Sequence, residues 1–172
     1  MPMPIMHAVA LSVASFACIF DLRTRRIPNW LTFGAAAAGL VFHVVTGGAT
    51  GIAQGVGGWV TGVALLVLPY ALGGMGAGDV KLVGALGAWL GPGDTFWLAM
   101  YTGISGAGMA LIVGAWHGYL RRAASNIWLL LTHWRVNGLK PFPELTLANS
   151  RGPRLAYAAP ILVGTIAMLW LR

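Results

Sequence analysis

Six apolar stretches, each near the length of a bilayer crossing, take up most of this chain and leave it little to fold into but a helical membrane bundle. They run over residues 4–20, 30–45, 52–72, 74–90, 95–116 and 155–171. A crossing helix needs about 20 mainly apolar residues. Of the 172 residues, 58% are hydrophobic and 9% charged, where soluble chains average about 25% charged. The mean hydropathy is +0.75. The 25 glycines suit membrane helices, and the eight Trp and four Tyr suit the interfacial belts. The expected fold is all-α: one membrane-embedded domain over residues 1–172, a polytopic bundle of about six transmembrane helices. The connections "TGGATG" and "GPGD" are short, so neighbouring helices should be antiparallel hairpins.

A net charge of +7 would suggest nucleic acid in a soluble protein. Here it sets orientation instead, and no nucleic-acid partner is expected. Arg23, Arg25 and Arg26 lie between the first two helices, and Lys81 lies near the start of the fourth. Arg121, Arg122, Arg135, Lys140, Arg151 and Arg154 lie between the last two. Six spans put all of these on one side and Arg172 alone on the other. The positive-inside rule makes the charged side cytoplasmic and places both termini outside. In the one long loop, "YLRRAASNIWLLLTHWR" reads as a helix lying in the cytoplasmic interface. The rest of that loop, with Pro141, Pro143 and Pro153, reads as an irregular connector.

The first twenty residues lack the basic start of a signal peptide and read as a mature helix. Cys18 is the single cysteine, so no disulfide within the chain is expected. His7, His43, His117 and His133 are scattered, so neither a metal site nor a cofactor is expected. The spacings Gly51/Gly55, Gly58/Gly62 and Gly103/Ala107 should permit close helix packing.

The four acids carry the chemistry. Asp94, in "GPGD", reads as a helix N-cap or first-turn residue, and Glu144 as a solvated loop charge. Asp21 closes the first helix and Asp79 opens the fourth, on the same side and at similar depth. Each could pair with a nearby Arg or with Lys81, and an ionisable residue inside a span could equally serve a proton or ion path. Two carboxylates held close cannot both ionise easily, so one stays an acid and the other a carboxylate. That is the working state of an aspartic protease. Gly76 and Gly78 precede Asp79 in "GAGD". Each costs a helix roughly 1 kcal/mol, but glycine lets an extended peptide backbone approach closely.

These residues resemble a known family. "FDLRTRRIPNWLT" (Phe20 to Thr32) and "GAGDVKLVGALGAWLG" (Gly76 to Gly91) are similar to the two signature regions of type IV prepilin peptidases, membrane aspartic proteases of the GxGD class. "YAAPILVGTI" (Tyr157 to Ile166) is similar to the family's last helix. The resemblance implies that Asp21 and Asp79 are catalytic, that Gly76 and Gly78 are the motif glycines, and that Lys81 is the basic residue after the second acid. It implies a bacterial inner-membrane enzyme facing the cytoplasm, with the bilayer and a prepilin or pseudopilin precursor as its partners. The activity implied is removal of the short basic leader.

Long family members carry a cytoplasmic region with paired cysteines and also methylate the new N-terminus. Here the loop after the first helix is short and Cys18 is alone. The chain therefore resembles the short, peptidase-only forms associated with Flp or tight-adherence pili, and N-methyltransferase activity is not expected. Two alternatives remain: a GxGD intramembrane protease for other signal-like peptides, and a non-enzymatic pilus-assembly or transport protein. Against transport, the other spans hold no acid, and only His43 and His117 towards their ends. The aspartates, with Glu144, are expected to attract a cationic leader while arginines meet anionic lipid. Lys81 either biases the dyad or snorkels to lipid phosphate, the latter being favoured.

Overall fold

The computed structural model describes residues 3–142, 145–146 and 156–172. Among them are α1 (Met3–Thr24), α2 (Asn29–Ala71), α3 (Ala77–Trp116), α4 (Leu120–Asn137) and α5 (Ala158–Leu171). The first three are long and apolar enough to cross a membrane, and α5 is a shorter apolar helix.

Neither α2 nor α3 is a single rod. Gly48 breaks α2 with φ 54 and ψ −132, and Gly91 breaks α3 with φ 78 and ψ 173. Both sit where glycine pays no steric penalty. Pro92 then restarts α3 at a first-turn position, where its missing N–H is harmless. At each break the chain doubles back. A side chain at Gly51 would strike the His43 carbonyl, and one at Gly55 would stand 3.2 Å from Leu40. A side chain at Gly87 would stand 3.0 Å from Thr95. Apart from α4, the described helices therefore form six arms, which lie over the six apolar stretches of the sequence. The expected connections "TGGATG" and "GPGD" contract to one non-helical residue each, because a single left-handed glycine is enough to turn the chain. Asp94 falls in the first turn of the second arm of α3, as its sequence context suggests.

Backbone meets backbone where α2 crosses α3. A Cβ on Gly58 would run into the Gly87 carbonyl, and one on Gly87 into the Gly58 carbonyl. Gly62 lies equally close to the backbone of Val83 and Gly84, and Gly39 to Ala88. Small residues let helices approach to this distance, where dispersion and weak polar contacts hold them without a hydrophobic driving force. The third expected pair does not pack this way: Gly103 faces open space and Ala107 is exposed. On the other side α5 lies against α3, with Gly164 against Thr102 and the Ser105 hydroxyl donating to the Pro160 carbonyl at 2.9 Å. From α1, Ala10, Ala14 and Ala17 reach the same core as Leu82, Val83, Leu86, Leu98 and Ile161.

The break at Gly91 strands carbonyls at the end of the first arm of α3, as any helix end does. His43 covers one of them: its Nε2 lies 3.1 Å from the Trp89 oxygen, and both residues are buried. The Trp89 indole in turn donates to the Ala35 carbonyl at 2.8 Å. Removing the ring in His43→Ala leaves a buried acceptor unpaired, which costs about 1–3 kcal/mol. We expect the thermal midpoint of the purified chain in detergent to fall accordingly, with His43→Gln recovering part of the loss because its amide can donate.

Helix α4 has no buried residue. Ile127, Trp128 and Leu131 are exposed on it, and Arg121, Arg122 and Arg135 lie near its ends.

Candidate active site

The site forms where α1 ends and α3 begins. Arg25, at φ 55, takes the left-handed conformation that is uncommon outside glycine, and this stops α1. Its N–H still closes the last turn on the Asp21 carbonyl at 2.9 Å. Ile27 and Pro28 then lead into α2, with Pro28 extended (φ −63, ψ 136) as its N-cap. Residues 25–28 thus make a tight corner that lays "IPN" beside "GAGDVK".

The two segments meet side chain by side chain. A Cβ on Gly78 would stand 3.3 Å from the Ile27 Cβ, so that glycine lets the corner close on α3. The Lys81 ammonium donates to the Asn29 side-chain oxygen at 3.1 Å and sits 5.2 Å from the centre of the Phe33 ring. Lys81 is therefore tied to α2, where sequence reasoning had favoured lipid phosphate. Each aspartate is held by a backbone N–H. Gly76, the N-cap of α3, donates to Asp79 Oδ2 at 3.2 Å, as an acid three residues into a helix commonly arranges. A Cβ on Gly76 would crowd that same oxygen at 3.0 Å. Ala158, the first residue of α5, donates to Asp21 Oδ2 at 3.2 Å across 137 residues of sequence.

Both aspartates are buried, Asp21 at 8% exposure and Asp79 at 9%. They line one cleft of about 460 Å³ together with Arg25, Arg26, Gly76, Gly78 and Lys81. Asp21 lies within electrostatic reach of Asp79, and Asp79 within reach of the Tyr157 phenol. All five residues singled out in the sequence are thus brought to one place. Sequence reasoning missed Ile27, Asn29, Tyr157 and Ala158. The signal was present, since these stand inside "IPN" and "YAAP", but their partners are set by tertiary contact. Glu144 and the connector residues Pro143, Arg151, Pro153 and Arg154 lie outside the described residues.

Two buried carboxyls beside a cleft that can admit water are equipped for general acid–base chemistry on a polar bond. The model of the type IV leader peptidase family matches residues 8–120, a stretch that contains both aspartates. A protein of Aeromonas hydrophila named prepilin leader peptidase/N-methyltransferase is 32% identical over an alignment of 157 residues that covers 87% of this chain. The chain spans 44% of that relative's length. No solved structure matches it.

Proposed function

We propose, because this chain belongs to the type IV leader peptidase family, that it is a membrane aspartic endopeptidase removing the short basic leader from pilin-like precursors. The observation that carries this proposal is the burial of Asp21 and Asp79, from separate helices, in one cleft. Like charges at close quarters leave the pair sharing one proton. The ionised member takes a proton from water as the water oxygen attacks the scissile carbonyl carbon. The protonated member gives its proton to the carbonyl oxygen, and a neutral gem-diol forms. When it collapses, a proton passes to the amide nitrogen, the C–N bond breaks, and the leader leaves with a new carboxyl while the mature chain keeps a free amine. The N–H groups of Gly76 and Ala158 hold the two carboxyls in place through both steps.

The six arms act as six crossings, with the dyad at the cytoplasmic face of a bacterial inner membrane. In support, Arg25, Arg26 and Lys81 line the dyad cleft. Arg172 lies instead over the Trp97 ring at 5.3 Å, in the arm that begins at the Gly91 break. Helix α4 lies flat in the cytoplasmic interface, its arginines on anionic headgroups and its exposed apolar residues among acyl chains.

Peptidase activity without methylation is the form we propose. In support, only residues 25–28 connect α1 to α2. The test is to incubate the purified chain in lipid nanodiscs with a pilin-like precursor and S-adenosylmethionine, and to read the fragments by mass spectrometry. One cut, releasing the basic leader and leaving an unmodified amine, is expected. A mature fragment one methylene heavier would add methylation to the activity. An intact precursor would overturn the peptidase assignment.

A further inference from the structure

The two carboxyls of the dyad are held in unequal ways. Asp79 takes its N–H from Gly76, three residues away at the start of its own helix. Asp21 takes its N–H from Ala158, so its place depends on where α5 arrives. Helix α5 runs antiparallel along the second arm of α3, and three close contacts mark that register. Gly164 lies against Thr102, the Pro160 carbonyl accepts from Ser105, and Tyr157 lies against Gly106. The last of these is the one beside the dyad. A Cβ on Gly106 would stand 2.9 Å from the Tyr157 phenol oxygen and 3.2 Å from its Cε2 and Cζ atoms, so the missing side chain leaves a seat on which the ring rests. Gly106 is buried and Tyr157 half-buried. The phenol also comes within electrostatic reach of Asp79. Tyr157 is the N-cap of α5, and its carbonyl accepts from the Ile161 N–H at 3.3 Å. The same peptide unit carries the Ala158 N–H that donates to Asp21. A planar peptide cannot swing one of these groups without the other.

We propose that Tyr157 is a positioning residue for the dyad: its ring, seated on Gly106, sets the first turn of α5 and thereby the distance of Asp21 from Asp79. The proposal rests on the peptidase assignment above. Tyr157 is not among the described residues that line the dyad cleft, so it acts through Ala158 and not on the substrate. Two carboxyls share one proton only while they stay close, and a misplacement of about 1 Å can cost about 10²-fold in rate. A glycine inside a helix arm is less stable there than alanine. At position 106 the Tyr157 ring fills the space that an alanine methyl would need.

The test is a double-variant cycle on the full chain in lipid nanodiscs, with a pilin-like precursor as substrate and rates taken per folded molecule. Gly106→Ala should lower kcat by about 10- to 100-fold with KM little changed, although alanine is the better helix former. Gly103→Ala, on the same arm at a glycine with nothing within 4 Å, should match wild type. Adding Tyr157→Phe to Gly106→Ala removes the atom that the new methyl meets first. It should recover about threefold or more, since residues in contact do not act independently. Tyr157→Ala should also lower kcat, and adding Gly106→Ala to it should cost nothing further, because the ring is gone. The pH profile separates positioning from a general loss of structure. Coupling between two carboxyls sets the width of a bell-shaped profile, so both single variants should narrow it. The other groups facing the dyad, Cys18, Arg25, Arg26 and Lys81, are the same in every variant. Independent effects of Gly106→Ala and Tyr157→Ala, or a profile of unchanged width, would overturn the proposal. A further loss on adding Tyr157→Phe would overturn it too, by making the phenol itself a catalytic group. Failure of the wild type to cut the precursor would sink the peptidase assignment and the positioning role with it.

Discussion

Asparagine at either of the proposed catalytic positions, Asp21 or Asp79, should stop precursor cleavage while leaving the protein in the membrane. Asp21→Asn and Asp79→Asn keep the shape of the side chain and an oxygen for the Ala158 or Gly76 N–H. What they lose is the ability to take up or give up the proton. A positioned acid or base contributes typically about 10²–10⁴-fold, so kcat should fall by about 10³-fold or more in each single variant, with KM little changed. The two residues work as one unit, so the double variant should be no worse than the singles. Cleavage of a co-expressed precursor, read from the mature N-terminus with membrane levels checked in parallel, decides it. Activity within roughly tenfold of wild type in either variant would remove the two-aspartate mechanism, and a non-enzymatic assembly role would take its place.

The second large effect concerns the fold. Gly58→Val drives a branched side chain into the Gly87 carbonyl and towards the Gly91 Cα, which an added Cβ would already meet at 2.8 Å. The obstacle is α3 backbone, at Gly87 and at the Gly91 break, so no rotamer change relieves it. Overpacking typically costs about 1–3 kcal/mol and more when the backbone has to move; the upper end applies here. We expect most of the variant to be lost from the folded, monodisperse fraction after detergent extraction. Gly103→Val, at a glycine with nothing within 4 Å, should behave like wild type in the same extraction. Equal yields of the two would mean that the α2–α3 crossing is looser than this geometry.

Hydropathy makes the arms legible in the sequence because the bilayer imposes a length on every crossing. It also brings Asp21 and Asp79 to one end, since counting arms fixes which ends coincide. What stays hidden is which neighbour each polar atom finds. Lys81 offers the sequence reader two partners, the dyad or a lipid phosphate, and the uncharged Asn29 side chain is neither. The choice of Asn29 depends on the corner at residues 25–28, whose left-handed Arg25 no propensity rule foresees. Ala158 is harder still, because an alanine N–H carries no mark in a sequence. Its importance comes from α5 arriving with its first turn beside Asp21. Among the glycine pairs, spacing alone separates nothing: Gly58/Gly62 and Gly103/Ala107 look the same on paper, and only the first pair faces another helix.

The one-residue breaks at Gly48 and Gly91 have a consequence for biogenesis. A polar loop on the far side of a bilayer has to be carried through hydrocarbon during insertion, and charged groups are costly at its centre. Here those connections contain no Lys or Arg and consist of little more than the turn itself. In the proposed topology each pair of arms can enter the membrane as a preformed hairpin with one charged group at most, Asp94 beside the Gly91 break, to translocate, leaving its cationic ends where they were made.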